Sequence, residues 1–359
     1  MSNDVEHRHE LICVLSDERS PIGYGAKYPR DSIVPTHTST APHATFSVIV
    51  PTYERPELLA ACLSALAGQV YPREQYEVIV VDDGSAFDVD DVRARLEAPF
   101  TKFQLIKQTN AGPAAARNTG AAVARHAFLA FIDDDCAPHP DWLHKLSDVL
   151  RGNPNALVGG RSCNPSDNLY AAASQTIMDV VYAHFNRNYQ RAVFFPSHNM
   201  AISRKRFLEV GGFDPSFRWS EDRDLCDRVA ARGWQLVAAP DAIVDHGHVS
   251  GLIEFFKQHF EYGRGAWQFH RSRVKRGSGR LRPETSFYLK CFREPFRTQT
   301  IGRAIRLAML MSIWQVANAS GFFFQAFRDR RSRRKRTSTY DEAALPPGKA
   351  NQSGKQNRP

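Results

Sequence analysis

Short apolar runs alternate with helical spacings through the first half of the chain. Phe46-Ser47-Val48-Ile49-Val50 is a β-branched run suited to a buried parallel strand. Pro51-Thr52-Tyr53-Glu54-Arg55 ends it, and Pro56 suits a first helical position. Leu58, Leu59, Cys62, Leu63 and Leu66 then recur at helical spacing, and Gly68 marks the stop. A second strand is predicted from Tyr76 to Val81, a helix from Val89 to Leu96 and a third strand from Phe103 to Ile106. Gly112 permits a tight turn, Pro113 opens the next helix, and its alanines let it pack close to a sheet. The fourth strand is Phe128-Leu129-Ala130-Phe131-Ile132, which runs straight into Asp133-Asp134-Asp135.

This strand–helix alternation predicts an α/β sheet, largely parallel. Right-handed crossovers bring the strand C-termini to one edge, where open α/β sheets bind ligands. The segment Pro51 to Glu54, the pair Asp82-Asp83 and the triplet Asp133 to Asp135 are therefore expected to converge. Alone, the triplet reads as an acidic turn before the helix of Pro140-Asp141-Trp142-Leu143. Two acidic strand ends on one edge ask for more, because adjacent buried carboxylates are costly unless paired or bound to a cation.

Further along, Ala156 to Gly160 reads as a strand, residues 166 to 190 as helical, Ser197 to Ile202 as a strand and Arg204 to Val210 as a helix closed by Gly211-Gly212. Ser220 is placed as the N-cap of a helix whose first turn holds Glu221, Asp222 and Asp224. Those acids either complement the helix dipole or perform chemistry. Residues 235–239 and 242–244 read as two short strands, followed by Asp245-His246-Gly247-His248. A His-x-His pair after a strand is either a metal ligand set or a polar turn.

Composition narrows the classes. The chain has 359 residues, 42% of them apolar, which is enough for a sizeable core. Its six cysteines, at 13, 62, 136, 163, 226 and 291, form no Cys-x-x-Cys pair and suggest no disulfide framework, which fits a reducing compartment. The N-terminus is polar, without an apolar signal core, so a cytoplasmic location is expected. Residues 1–44 read as an irregular arm, with a short strand at Leu11 to Leu15. The net charge of +9 is concentrated late in the chain, most densely from Arg328 to Arg336. A basic tail suits nucleic acid, an anionic membrane or solubility alone. An acidic sheet edge would repel phosphate, which argues against a nucleic-acid partner.

Taken in order, Ser47-Val48-Ile49-Val50-Pro51-Thr52-Tyr53, Val80-Val81-Asp82-Asp83-Gly84-Ser85, Ala116-Arg117-Asn118, Asp133-Asp134-Asp135 and Glu221-Asp222 with Asp224-Leu225 resemble family 2 glycosyltransferases. The resemblance covers roughly residues 46 to 250, and it is the ordered set that is specific. It implies a GT-A fold, a Rossmann-like mixed sheet flanked by helices, over residues 45–250. It also implies transfer of a sugar from a nucleotide-diphosphate donor to a hydroxyl with inversion, helped by a divalent cation, Mg²⁺ or Mn²⁺. By resemblance, Pro51, Thr52, Tyr53, Glu54, Asp82 and Asp83 hold the nucleotide, and Arg117 lies near the donor. Asp134 is a ribose candidate, Asp133, Asp135 and His246 form the metal set, and Asp222 is the general base. His246 is preferred to His248. The chemistry agrees: a cation neutralises a diphosphate leaving group, and a carboxylate takes the proton of a weakly nucleophilic hydroxyl.

Residues 251–336 are expected to form a helical extension. The spacing of Leu252, Ile253, Phe255, Phe256 and Phe260 predicts a helix that covers an acceptor or simply packs. Residues 305 to 327 are apolar over about the ~20 residues a bilayer requires, yet Arg306, Gln315, Asn318 and Gln325 interrupt them. An in-plane helix at an anionic membrane surface is expected, with the basic run on the headgroups of the inner face. The competing reading is a helix packed on the catalytic domain. Residues 337–359 read as a disordered tail. The acceptor is expected to be a glycan or a lipid-linked sugar. Two other functions compete. A nucleotide-sugar-binding or membrane scaffold protein would have lost the acids that are present. A sugar nucleotidyltransferase would carry glycines in the loop after the first strand, and Pro51 to Pro56 has none.

Overall fold

Alternating apolar residues set the centre of the sheet. The computed structural model describes residues 43–343, apart from 95–99, 167, 248–250 and 282–283. The expected strand at Leu11 to Leu15, the last residues of the Val89 to Leu96 helix, His248 and the chain after 343 lie outside the described residues. Strand β1 (Phe46–Thr52), α1 (Pro56–Ala67), β2 (Tyr76–Asp82), α2 (Val89–Ala94), β3 (Phe103–Lys107), α3 (Pro113–Val123) and β4 (Phe128–Phe131) follow in the expected order. Val48 and Val50 face a core layer with Leu59, Leu63 and Trp142, while Ile49 faces the other with Ala116, Phe131 and Phe207. This period-two division is what a strand buried on both faces requires. Each fully buried Leu or Phe there contributes about 1.5–3 kcal/mol.

The chain then continues through β5 (Cys136–Pro138), α4 (Trp142–Gly152), β6 (Leu157–Cys163), α5 (Leu169–Phe185), β7 (Met200–Ser203), α6 (Arg204–Val210), α7 (Glu221–Ala231) and β8 (Leu236–His246). The sheet order is β3-β2-β1-β4-β7-β6-β8-β5. Strands β3, β2, β1 and β4 are parallel, β7 runs antiparallel to β4 and β6, and β5 runs antiparallel to β8. The sheet is thus mixed, and its parallel half carries the expected edge.

Three local expectations change. Ser197–Asn199 is a 3-10 turn, and only Met200–Ser203 is strand. The two short strands after Gln235 are one, β8, with a register irregularity opposite Gly159 and Arg161. Pro240 lies in that irregularity, where a missing N–H is tolerated. Ser220 precedes α7 but does not cap it. Its backbone is left-handed (φ 69°), and its side chain makes no cap bond, because capping requires an extended backbone at that position.

Three helices complete the described chain: α8 (Leu252–Arg276), α9 (Thr285–Thr298) and α10 (Ile301–Ala343). The expected helix at Leu252 to Phe260 is therefore only the start of α8. Leu307, Leu310, Met311 and Trp314 of α10 join Ile177 of α5, Phe255 of α8 and Phe287 of α9 in a third apolar cluster. Helices α8 and α10 approach closely through two glycines. A Cβ at Gly263 would lie 2.1 Å from the Asn318 carbonyl oxygen, and one at Gly321 would lie 1.9 Å from that of Phe260. One face of α10 is thus packed, while Ile301, Ile305, Met309 and Val316 remain exposed. The helix is long and apolar enough to cross a membrane by length and composition. It continues to Ala343, past the residue at which the composition suggested that order ends.

Candidate active site

The strand register explains why the acids meet. Thr52 at the end of β1 is paired with Asp82 at the end of β2, and β4 pairs with β1 on the other side. The chain leaving β4 then places Asp133, Asp134 and Asp135 beside these ends. Antiparallel pairing of β5 with β8 sets Cys136 directly opposite His246. Residues far apart in sequence therefore border one cleft of about 2700 Å³, lined by Tyr53, Asp83, Asp135, Asp222 and His246 among others.

The three adjacent aspartates have three different partners. Asp133 accepts a hydrogen bond from the guanidinium of buried Arg117, whose Nη1 also donates to Glu221 at 3.0 Å. Arg117 therefore ties the β4 loop to the first residue of α7. Burial opposes its charge, but Asp133 and Glu221 outweigh that and raise its pKa. Asp134 is buried and accepts from Thr52 Oγ1 at 2.8 Å and from Arg55 Nη1 at 3.3 Å. Burial dominates there and pushes its pKa up to about 6. Asp135 lies 3.3 Å from His246 Nε2 and 3.0 Å from Arg55 Nη1. Burial would raise its pKa, but His246, Arg55 and His198 together hold it well below the usual carboxylate range.

Asp135, Cys136 and His246 offer ligand atoms within 4.8 Å of one another. Burial keeps the Cys136 thiol protonated, its pKa well above the ordinary value. Asp135 and His246 are therefore the pair open to the cleft. One carboxylate and one imidazole fit a divalent cation that takes its remaining ligands from water and a diphosphate. Asp133, included in the expected metal set, is engaged by Arg117 instead of joining this pair.

The nucleotide-side residues divide as well. Pro51, Thr52, Tyr53 and Asp83 border the cleft, with Tyr53 exposed. Asp83 accepts from the backbone N–H groups of Ala111 and Gly112, both at 2.8 Å, and from Gln108 at 2.7 Å. Its carboxylate thus fixes the turn entering α3. Asp82 is buried and accepts from Ser85 N–H at 2.9 Å. Glu54 adopts a left-handed backbone (φ 54°) and accepts from Ala86 N–H at 2.9 Å. These acids shape the loops around the cleft. Left-handed backbone at Glu54 and at Ser220 is the kind of strain that gathers at functional sites.

Asp222 stands in the first turn of α7, half-buried and facing the cleft. Its carboxylate accepts from Arg223 N–H at 2.7 Å. Burial first, then the neighbouring Glu221, push its pKa up to about 7. Helix α8 supports this turn closely, since a Cβ at Gly265 would lie 2.7 Å from Ser220 Oγ and 2.8 Å from the Trp219 carbonyl oxygen. The expected helix thus packs on the segment that carries Asp222, and it also borders the cleft through His259 and Tyr262.

Sequence reasoning missed Arg55 and His198. Arg55 bridges Asp134 and Asp135, and only its place at the end of the β1 loop hinted at it. His198 packs against His246 with the rings tilted by 47° and their centroids 4.3 Å apart, and its Nε2 is hydrogen-bonded to Ser162 Oγ at 2.7 Å. It fell inside a run read as strand.

The chain is similar to known proteins in sequence and in fold. Residues 47–212 match the Glycosyl transferase family 2 model. Glycosyltransferase AglE of Haloferax volcanii is 31% identical over 247 residues, covering 67% of this chain and 79% of that protein. The pre-mycofactocin glycosyltransferase of Mycobacterium tuberculosis is 31% identical over 245 residues, which are 65% of this chain and 49% of that protein. The chain thus spans about half the length of this second relative. Among solved structures, the mannosyltransferase PcManGT from Pyrobaculum calidifontis, in complex with GDP-Man and Mn²⁺, superposes with a TM-score of 0.57 at 18% identity. The match covers 79% of this chain and 88% of that one, and it is a likeness of fold. From the identity to AglE over most of that protein, and from the mixed sheet that gathers the strand-end acids, the chain belongs to glycosyltransferase family 2 and has the GT-A fold.

Proposed function

We propose that this glycosyltransferase moves a sugar from a nucleotide-diphosphate donor to a hydroxyl with inversion, assisted by a divalent cation, Mg²⁺ or Mn²⁺. The observation that carries the reading is one cleft holding both the Asp135–His246 pair and, on a separate element, a carboxylate whose pKa lies near 7. Asp135 and His246 would hold the cation, which when bound supplies charge neutralisation for the diphosphate leaving group. Thr52 and Arg55 hold Asp134 at the cleft wall, where it suits the ribose. Asp222 takes the proton of the acceptor hydroxyl during attack, a contribution of roughly 10²–10⁴-fold. A single displacement needs only this one base. Glu221 is committed to Arg117, and Asp224 to Arg228 and Arg276, which leaves no second free acid in this turn and favours inversion.

We place the enzyme at the cytoplasmic face of a membrane, with a glycan or lipid-linked acceptor. The exposed apolar face of α10 and the basic run that follows it in the same helix support this placement.

The reading predicts that Asp135→Ala lowers nucleoside diphosphate affinity about tenfold or more in the presence of Mn²⁺, with little change in its absence. Isothermal titration calorimetry with and without the ion checks this. Equal affinity of the variant and the parent with Mn²⁺ would remove Asp135 from the cation site.

A further inference from the structure

Beyond the carboxylates, the same cleft continues between α5, α8, α9 and α10. Its walls there are Ile177, Met178, Val181 and Phe185 of α5, Phe287 of α9 and Trp314 of α10. Polar side chains border it too, among them Gln175 of α5, Gln258 and Tyr262 of α8 and Gln315 and Asn318 of α10, and two further polar residues are buried. His259 of α8 is 4% exposed, packed against the rings of Phe255, Tyr262 and Trp314 at centroid distances of 4.4, 5.6 and 6.3 Å. Neither of its ring nitrogens has a hydrogen-bond partner among the described residues. Ser174 of α5 is 6% exposed, and its hydroxyl is likewise without a partner. Burial pushes the His259 pKa down to about 4, so the imidazole is neutral at physiological pH and offers one donor and one acceptor. Buried polar groups in native proteins are ordinarily bonded, and such orphans mark a place for water or a ligand.

We propose that this chamber, walled by Ile177, Met178, Val181, Phe185, Phe287 and Trp314, is the acceptor site, and that the acceptor is an amphiphile. Its apolar chain lies in the chamber, its linking polar group meets His259, and its reacting hydroxyl reaches Asp222. The assignment rests on the transfer reading above and selects the lipid-linked class of acceptor within it. A free polysaccharide needs hydrogen-bonding groups along its path, whereas Ile177, Met178, Val181, Phe185 and Phe287 offer apolar surface alone. A hydrocarbon chain needs only apolar area. The chamber also stands against α10, whose other face is exposed and apolar, so a chain-bearing acceptor would pass from a lipid surface to the chamber along one helix.

The test uses the full chain and the alkyl β-D-glucosides methyl, hexyl, octyl and decyl as probes, each below its micelle concentration. Binding is followed by calorimetry. Affinity is expected to rise by about threefold to fourfold per added methylene, the transfer value for one buried CH₂. Met178→Trp, which fills the chamber, should flatten that slope. Met178→Gln, which keeps the volume and adds polarity, should reduce it, and serves if the larger residue prevents folding. His259→Phe should weaken all probes about equally and leave the slope intact. Affinity independent of chain length, or a slope unchanged in both Met178 variants, would overturn the proposal, the latter because the probes would then be adsorbing elsewhere. Binding of a nucleoside diphosphate in the presence of Mn²⁺ is measured in parallel. It depends on the donor site, so its loss speaks against the transfer reading and leaves the chain-length slope as a separate result.

Discussion

As the proposed base, Asp222 must be shielded enough to hold a proton near neutrality and open enough to reach a hydroxyl. Burial and the negative neighbour Glu221 raise its pKa, while the Arg223 N–H stabilises its charged form only in part. Because a base acts deprotonated, the sign is fixed: activity is present above the shifted pKa and lost below it. We expect kcat/KM to fall about tenfold per pH unit below about pH 7, which a rate profile at saturating Mn²⁺ measures. A limb below pH 5 would mean that Asp222 titrates as an ordinary aspartate or is not the base. Part of this site was legible in the sequence. The ordered acids and Asp222 stand out because each ends a strand or opens a helix. The division of labour within Asp133, Asp134 and Asp135 was not legible, because it depends on Arg117, Arg55 and His246 arriving from three other elements. Neighbours in sequence say nothing of such partners.

At the scale of elements, long apolar runs and helical spacings were readable, and short or interrupted ones were not. Strands β1, β2 and β4 lie inside the sheet and are mostly apolar, with Ser47 and Glu77 buried among them, while edge strand β3 is half-buried. Strand β5 has three residues and owes its existence to pairing with β8. Pro240 split β8 into two apparent strands. Helix α9 was anticipated only as part of a helical extension over residues 251–336, not as an element of its own. Its apolar residues Phe287 and Cys291 face α5 and α10 as part of the helical cluster, and polar residues surround them in the chain. Helix α10 was read as a choice between packing and membrane contact, and the structure shows one face packed and the other exposed. Leu307, Leu310 and Trp314 are buried, and Ile305, Met309 and Val316 are exposed, with Arg328, Arg330 and Arg331 exposed further along. Near an anionic surface each basic residue contributes roughly 1 kcal/mol. The full chain should therefore sediment with vesicles containing phosphatidylglycerol, and salt should release it. Equal binding to neutral vesicles would remove the electrostatic part of this claim, and no binding to either would remove the membrane placement.

Across the whole molecule, the proposed function would have the sheet edge supply donor-side carboxylates and α7 the base, with the helices after β8 enclosing the side from which an acceptor would enter. Arg117 links the first two by bonding Asp133 and Glu221 at once. Helix α8 links the second and third, with Gly265 against Trp219 and Ser220 at one point and His259 in the chamber at another. A bound nucleotide and a bound acceptor would thus meet across a turn held from both sides. The chemistry assigned to that turn is tested most directly with Asp222→Asn, which preserves shape and removes the basic oxygen. Donor binding is measured by calorimetry and sugar transfer by release of nucleoside diphosphate in the presence of acceptor. The account predicts donor affinity within about twofold of the parent and transfer reduced by roughly 10²–10⁴-fold. Transfer at the parent rate would contradict it.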